Sequence, residues 1–260
     1  MSESILSEVN DGIQIITLNR PEKKNPITQA MYLQITEALK AADADKQVRV
    51  VMIRGAGGVF SAGNDMKDFS SAPTGEQTVL DSPAAQMMLA WIGLQKPIVA
   101  AVAGFAIGIG ATCLLHCDSV IAGRGTRFQF PFTSLGLVPE FGSTLTLVNG
   151  GGKVKASHYL LTGDPFDAQV AQDIGMVSLV CDDDEVEALA LKTCLRIASL
   201  SPASVKATKA LINTSAYQQN MIGVFTEEMV MFRRGRESAE HREAVAAFME
   251  KRPADFSQFG

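Results

Sequence analysis

The stretch that decides the fold is "PIVAAVAGFAIGIGATCLL", Pro97 to Leu115. It is long and apolar enough to raise the question of a membrane span, which needs about 20 such residues. Gly104, Gly108 and Gly110 answer it. A β-branched and small-residue run closed by Gly104, then a glycine-rich turn, reads as buried strand, turn and buried helix over 108–116. Working outward, "VRVVMIRG" is a second buried strand closed by Gly55. "GIQIITLNR" alternates apolar and polar residues and ends at Pro21, while "SVIAG" and "GMVSLV" supply two more strands. Helical segments at 83–94, 153–161, 167–174 and 185–199 alternate with them. In "ITQAMYLQITEALKAADAD", Ile27, Met31, Ile35 and Leu39 recur at helical spacing behind Thr28 as N-cap. Strands that alternate with helices predict βα units, an α/β fold and mostly parallel pairing.

The pattern changes at Ser201. "SPASVKATKALINTSA", "NMIGVFTEEMVMFRRG" and "SAEHREAVAAFMEKR" read as three helices, the first opened by Ser-Pro, and no strand is expected after about residue 181. This divides the chain into a core, 1–200, and an all-helical C-terminal part, 201–260. Residues 68–82 are polar and read as a mobile loop.

Composition narrows the function. Of the 260 residues, 47% are hydrophobic and 20% charged, which suits a globular chain with a sizeable core. A formal net charge of -5 without a basic block argues against nucleic acid. The N-terminus lacks a basic segment ahead of an apolar run, so neither a secretory signal nor a membrane partner is expected. Cys113, Cys117, Cys181 and Cys194 sit in apolar segments without paired metal-ligand spacing, which points to a reducing, cytoplasmic setting and no metal. In "CLLHCD", His116 and Asp118 read as satisfied groups at a buried helix end.

Several motifs fail. Gly108-Ile109-Gly110 begins a dinucleotide fingerprint, but Cys113 stands at the third glycine. Ser61 is no nucleophile elbow, since Val59 replaces the required glycine. "NGGGKVK" is no phosphate loop, with Leu147 at the first glycine and Val154 after the lysine. Two glycine-rich turns remain, "GGVFSAGNDMKDF" and "GFAIGIGATC", each following a strand. Such turns either allow close helix–strand packing or present free backbone N–H groups to an anion.

Glu140 stands among Leu137, Val138 and Phe141 in "FPFTSLGLVPEFGST", with no cation nearby in sequence. Two readings are open. It complements the dipole of a following short helix, or it is a general base whose proton affinity is raised in an apolar pocket. A lone carboxylate with two turns of free N–H groups suits proton abstraction beside a carbonyl, the enolate resting on the amides.

"FSAGNDMKDF", "KPIVAAVAGFAIGIGATCLLHCDSVIAG", "FQFPFTSLGLVPEFGST" and "LTGDPFDAQVAQDIGMVSLV" occur in the order found in the crotonase family, the enoyl-CoA hydratases and isomerases, which the chain resembles from about residue 10 to residue 252. The resemblance implies a crotonase-like spiral of ββα turns with an all-helical C-terminal trimerisation region. It implies an acyl-CoA thioester as ligand, a homotrimer or dimer of trimers, and no cofactor, since coenzyme A is part of the substrate. The family's oxyanion-hole amides fall on Asn64 and Ile109. Its two hydratase glutamates fall on Thr112 and Phe132, neither an acid or base, which speaks against water addition. The carboxylate appears instead as Glu140, as in the family's 3-enoyl-CoA isomerases, and "SLGLVPE" with "GND" is most similar to the delta-3, delta-2-enoyl-CoA isomerase 2 branch. By the same resemblance Lys23, Lys24, Ala62, Asn64, Asp65, Phe248 and Lys251 are candidates for holding CoA, the lysines otherwise being solvated surface charges. Phe132, Leu137 and Phe141 either line the acyl channel or pack the core. Relatives with a carboxylate near position 140 also suggest aryl-CoA dehalogenation or ring-epoxide isomerisation. A non-catalytic acyl-CoA-binding subunit is the alternative outside enzymes, and Glu140 counts against it.

Overall fold

Apolar runs without alternation form the centre of a six-stranded sheet in the computed structural model, which describes residues 3–67 and 79–260. Strands β1 (Ile5–Asn10), β2 (Ile13–Leu18), β3 (Val50–Gly55), β4 (Ile98–Val102), β6 (Ser119–Gly123) and β9 (Leu179–Cys181) lie in that order. All neighbours are parallel except β1 and β2. Every residue of β4 is buried, as expected of a parallel strand covered on both faces.

A second sheet of three strands contains β5 (Phe105–Ile107), β7 (Arg127–Gln129) and β8 (Phe166–Asp167). β5 and β7 are parallel, and a parallel bridge between Ser61 and Ala106 extends the layer by one position. The chain therefore repeats one move. It leaves β3, β4 and β6 of the large sheet and immediately enters the small layer at Ser61, β5 and β7. This is the ββα spiral that the resemblance implied.

Helices cover both faces of the large sheet. On one side α1 (Gln29–Ala44) and α2 (Pro83–Gly93) build the main core, with Met31, Tyr32, Ile35, Leu39, Met87 and Trp91 buried. The Thr28 hydroxyl caps α1 by accepting from the Met31 amide at 3.3 Å, as its position predicts. On the other side α7 (Val186–Ala198) lays Val186, Ala190 and Cys194 against Ile13, Val50, Val99 and Ile121. Burying each aliphatic side chain of this kind is worth roughly 1.5–3 kcal/mol. The C-terminal part holds α8 (Pro202–Ile212), α9 (Ser215–Arg236) and α10 (Ala239–Glu250), and no strand follows Cys181 among the described residues.

Some expectations need correction. The helix expected at 108–116 is a four-residue α turn, α3 (Ile109–Thr112), followed by a 3-10 turn at Cys113–His116. β2 is the strand expected, and its alternation is of chemistry rather than burial: Gln14 and Thr17 are buried, with Gln14 donating to Ser7 Oγ and the Ala38 carbonyl. Of the loop expected at 68–82, residues 68–78 lie outside the described residues, while Val79–Asp81 form a 3-10 turn and Ser82 caps α2. No described helix is long and apolar enough to cross a membrane.

Candidate active site

The spiral brings the two glycine-rich turns into contact. The Ser61 amide donates to the Phe105 carbonyl at 2.9 Å, and the Ile107 amide to the Ser61 carbonyl at 3.1 Å. Glycines are required where the turns meet. A Cβ on Gly63, whose φ is +91°, would stand 2.8 Å from the Ile107 carbonyl oxygen, and one on Gly110 would stand 2.8 Å from Ser61 Cβ. Beyond these contacts, the backbone N–H groups of Asn64 and Ile109 have no hydrogen-bond partner among the described residues. Ile109 is the first residue of α3, where amides lack intrahelical partners, and Gly108 before it takes φ +54°. The Ile109 side chain is buried and lines the core beside Trp91 and Cys113.

Glu140 reaches the same place along β7. That strand pairs with β5 and leads into Phe130–Glu140. Glu140 is 3% exposed. Thr112, in the last position of α3, donates its hydroxyl to Glu140 Oε1 at 2.6 Å, and the buried Oε2 has no partner. Burial pushes the carboxyl up from 4.5 to about 8, the Thr112 bond opposes this, and the nearby Glu228 charge adds to it. Such a group exchanges a proton readily near neutral pH.

The side chain of Glu140 does not serve the following helix, although its carbonyl accepts from the Ser143 amide at 3.2 Å. Helix α4 (Ser143–Gly151) begins after Phe141 and Gly142, both left-handed at φ +60° and +68°. Glu228 of α9, a residue that local sequence reading missed, holds its N-terminus. Glu228 Oε2 accepts from the Gly142 amide at 2.5 Å, and Oε1 accepts from the Thr144 amide at 3.0 Å and the Thr144 hydroxyl at 2.6 Å. His116 Nε2 lies 2.5 Å from the Phe141 carbonyl, which requires the Nε2–H tautomer, and the two rings stack at 4.2 Å. Burial pulls His116 down to about 4, so it is neutral. A non-glycine residue at positive φ costs about 1–2 kcal/mol; these contacts offset it. His116 and Asp118 are satisfied as the sequence predicts, Asp118 accepting from the Ile98 amide and Lys209 Nζ, both at 2.7 Å.

The other candidates divide. Lys24, Ala62, Asn64 and Asp65 come together: the Ala62 amide donates to the Lys24 carbonyl at 2.9 Å, and Lys24 Nζ lies 5.3 Å from the centre of the Phe105 ring. The buried side chain of Asn25, also missed, fixes this loop by donating to the carbonyls of Ala56 and Val59. Lys23 and Lys24 are exposed. Asp65 is paired with Arg20 at 2.9 Å, and Asn64 Oδ1 accepts from the Tyr32 hydroxyl at 2.6 Å. Phe248 lies on the last helix and Lys251 is the left-handed residue that caps its end; the helix packs on the turn Thr133–Leu135, and no hydrogen bond or ion pair among the described residues joins either residue to the first cluster. Phe248 is exposed. Phe132, Leu137 and Phe141 are buried in the main core, Phe132 edge-on to Phe232 of α9 and Phe141 edge-on to Trp91.

Comparison with known proteins places the chain among crotonase-fold acyl-CoA enzymes. A family profile described as "Enoyl-CoA hydratase/isomerase" matches residues 8–259. The chain is 34% identical to 1,2-epoxyphenylacetyl-CoA isomerase of Escherichia coli K12, with 99% of both chains covered. It is 34% identical to enoyl-CoA delta isomerase 2 of Rattus norvegicus, over 97% of this chain and 65% of that one. Among solved structures, an enoyl-CoA hydratase/isomerase from Pseudoalteromonas atlantica T6c superposes with a TM-score of 0.92 at 38% identity, over 98% of this chain and 100% of that one.

Proposed function

The chain belongs to the enoyl-CoA hydratase/isomerase, or crotonase, family, and from that premise we propose that it is an isomerase that converts 3-enoyl-CoA to trans-2-enoyl-CoA by a one-base 1,3-proton transfer. The observation that carries the reading is the state of Glu140: buried, one oxygen held by Thr112, the other unpaired, and a proton affinity raised to about 8. The thioester oxygen rests on the amides of Asn64 and Ile109. Glu140 Oε2 takes the proton from C2, the electron pair delocalises into a dienolate, and the same oxygen returns the proton at C4. Each oxyanion donor is worth about 3–4 kcal/mol to such a step. A base with a proton affinity near ambient pH serves both halves, since neither proton transfer is then strongly uphill.

Hydration is disfavoured on chemistry. Thr112 and Phe132 stand where the resemblance places the hydratase glutamates, and the other buried carboxylate among the described residues, Glu228, is committed to three donors. The exposed Lys23 and Lys24 beside the Ala62–Asp65 turn suit CoA phosphates, and Asp65 contributes by anchoring Arg20 against that turn. Phe132 and Leu137 bound the acyl end. Exposed apolar residues on the C-terminal helices, Leu211, Ile212, Phe248 and Met249, suit a homotrimer in which the last helix closes the site of a neighbour. A second reading, ring-epoxide isomerisation, is favoured by the similarity to 1,2-epoxyphenylacetyl-CoA isomerase.

An assay with 3-hexenoyl-CoA, 3-decenoyl-CoA and 1,2-epoxyphenylacetyl-CoA separates the two. Conjugated 2-enoyl thioester is followed by ultraviolet absorbance. Turnover of the enoyl substrates, lost by about 10²–10⁴ in Glu140→Gln with acyl-CoA binding retained, is expected. Turnover confined to the epoxide, or full activity in the variant, sinks the enoyl isomerase reading.

A further inference from the structure

We propose that Glu228 is a positioning residue for Glu140: its carboxylate clamps the turn Phe141–Gly142 and keeps the site's fixed negative charge, so that Glu140 is the acid that carries the proton. The proposal rests on the reading of Glu140 as the base and adds the group that sets its position and protonation.

The donor sets separate the two buried carboxyls. Glu228 receives three donors, two backbone amides and a hydroxyl, distributed over both oxygens. All three groups donate, so a proton on Glu228 would place a fourth donor where acceptors are needed; the ionised form fits. Glu140 receives one donor and has one bare oxygen, which suits a proton that comes and goes. Burial raises both groups, and the bonds to Thr144 and Gly142 pull Glu228 back. Two buried titratable groups pushed apart by their surroundings divide the roles of charge holder and proton carrier.

The clamp also fixes geometry. Gly142 follows Phe141, which follows Glu140, so the Glu228–Gly142 bond holds the chain two residues past the base. His116 holds the Phe141 carbonyl from α3's side. Other ionisable groups around the pair stay neutral near pH 7: His116 is pulled down to about 4, and the Cys113 thiol is pushed up by burial. On the elements packed against Glu228, the charged and titratable groups are Asp81 before α2, Glu227, Arg233, Arg234 and Arg236 on α9 itself with Glu237 at its end, and Glu240, His241, Arg242, Glu243 and Glu250 on α10. None of them changes in the test.

The full chain is labelled with ¹³C at glutamate Cδ, and the two signals are assigned with Glu140→Gln and Glu228→Gln. In wild type, Glu228 is expected to remain ionised while Glu140 takes up its proton near pH 8. In Glu228→Gln the neighbouring charge is gone, so the Glu140 midpoint moves to lower pH. The amide nitrogen cannot accept from Gly142 or Thr144, so the turn loosens and kcat falls by about 10²-fold while KM changes little. A merely structural residue would lower Tm and leave the Glu140 midpoint in place. A folded Glu228→Gln with wild-type midpoint and kcat overturns the proposal. So does protonation of Glu228 before Glu140 in wild type, a result that needs no variant to fold. Wild type that lacks turnover yet shows the expected order overturns the isomerase reading and supports the clamp.

Discussion

Replacing Glu140 by Gln changes stability in a pH-dependent way that the structure sets. The carboxyl titrates at 4.5 when unfolded and at about 8 when folded, because burial disfavours its charge. A raised carboxyl contributes its full stabilisation below the unfolded value and loses it as pH rises through the folded value. Between the two, the native state holds a proton that the unfolded chain has released, so stability falls by about 1.4 kcal/mol per pH unit. Over the full window this is on the order of 5 kcal/mol, from 3.5 units at about 1.4 each. Gln cannot ionise and escapes that loss. Its amide leaves an N–H₂ group where Oε2 was unpaired, a cost of about 1–3 kcal/mol that does not vary with pH. The informative quantity is therefore the variant-minus-wild-type difference in unfolding free energy, measured by urea titration at one protein concentration. It should rise in favour of Glu140→Gln by about 3 kcal/mol between about pH 5.5 and about pH 9. A difference that is the same at both pH values would refute the buried, proton-binding Glu140 on which the catalytic argument stands.

Two further outcomes follow from the same geometry. Gly110→Ala places a Cβ 2.8 Å from Ser61 Cβ and 3.1 Å from its carbonyl oxygen, which pushes the two glycine-rich turns apart; kcat should fall by about 10²–10³-fold with the circular dichroism spectrum intact, as expected for a lost oxyanion donor. Thr112→Val removes the donor that lowers Glu140, so the acid limb of the kcat–pH profile should move above its wild-type position near 8, the lost bond to a charged group being worth about 1.5–3 kcal/mol. An unmoved profile would mean that Thr112 does not hold the reacting carboxyl.

The fold is legible wherever burial and propensity agree. β3 is apolar from Val50 through Ile53 and ends at Gly55, β4 is a continuous apolar run shortly before Gly104, and α1 carries its cap and its stripe at the expected positions. β5 and β7 are three residues each, too short to show a period, and their pairing comes from the spiral rather than from local preference. β1 escapes for another reason. Ile5 is its one buried residue, so "ILSEVN" carries no core-facing pattern. The break between α3 and the 3-10 turn at Cys113–His116 is set by tertiary demand, since it aims Thr112 at Glu140 and His116 at the Phe141 carbonyl.

The site shows where reading a sequence locally must stop. "PEFGST" supports two roles for Glu140, charge at a helix start or base, and nothing in those residues chooses between them. Glu228, on a helix far along the chain, removes the first role. It occupies the Gly142 and Thr144 amides, so the helix start is already neutralised. A second carboxylate aimed at those amides would be redundant and repelled. Phe141 and Gly142 at positive φ turn the chain between Glu140 and α4, and Glu140 is left facing Thr112. Glu228 was invisible beforehand because two of its three partners are backbone atoms, which carry no residue identity. The same logic covers Asn64 and Ile109, proposed to act through their amides, whose side chains face Tyr32 and the core. A site built largely from main-chain donors leaves one titratable side chain to mark it in the sequence, and the strength of that mark depends on what else is available to cap the neighbouring helix.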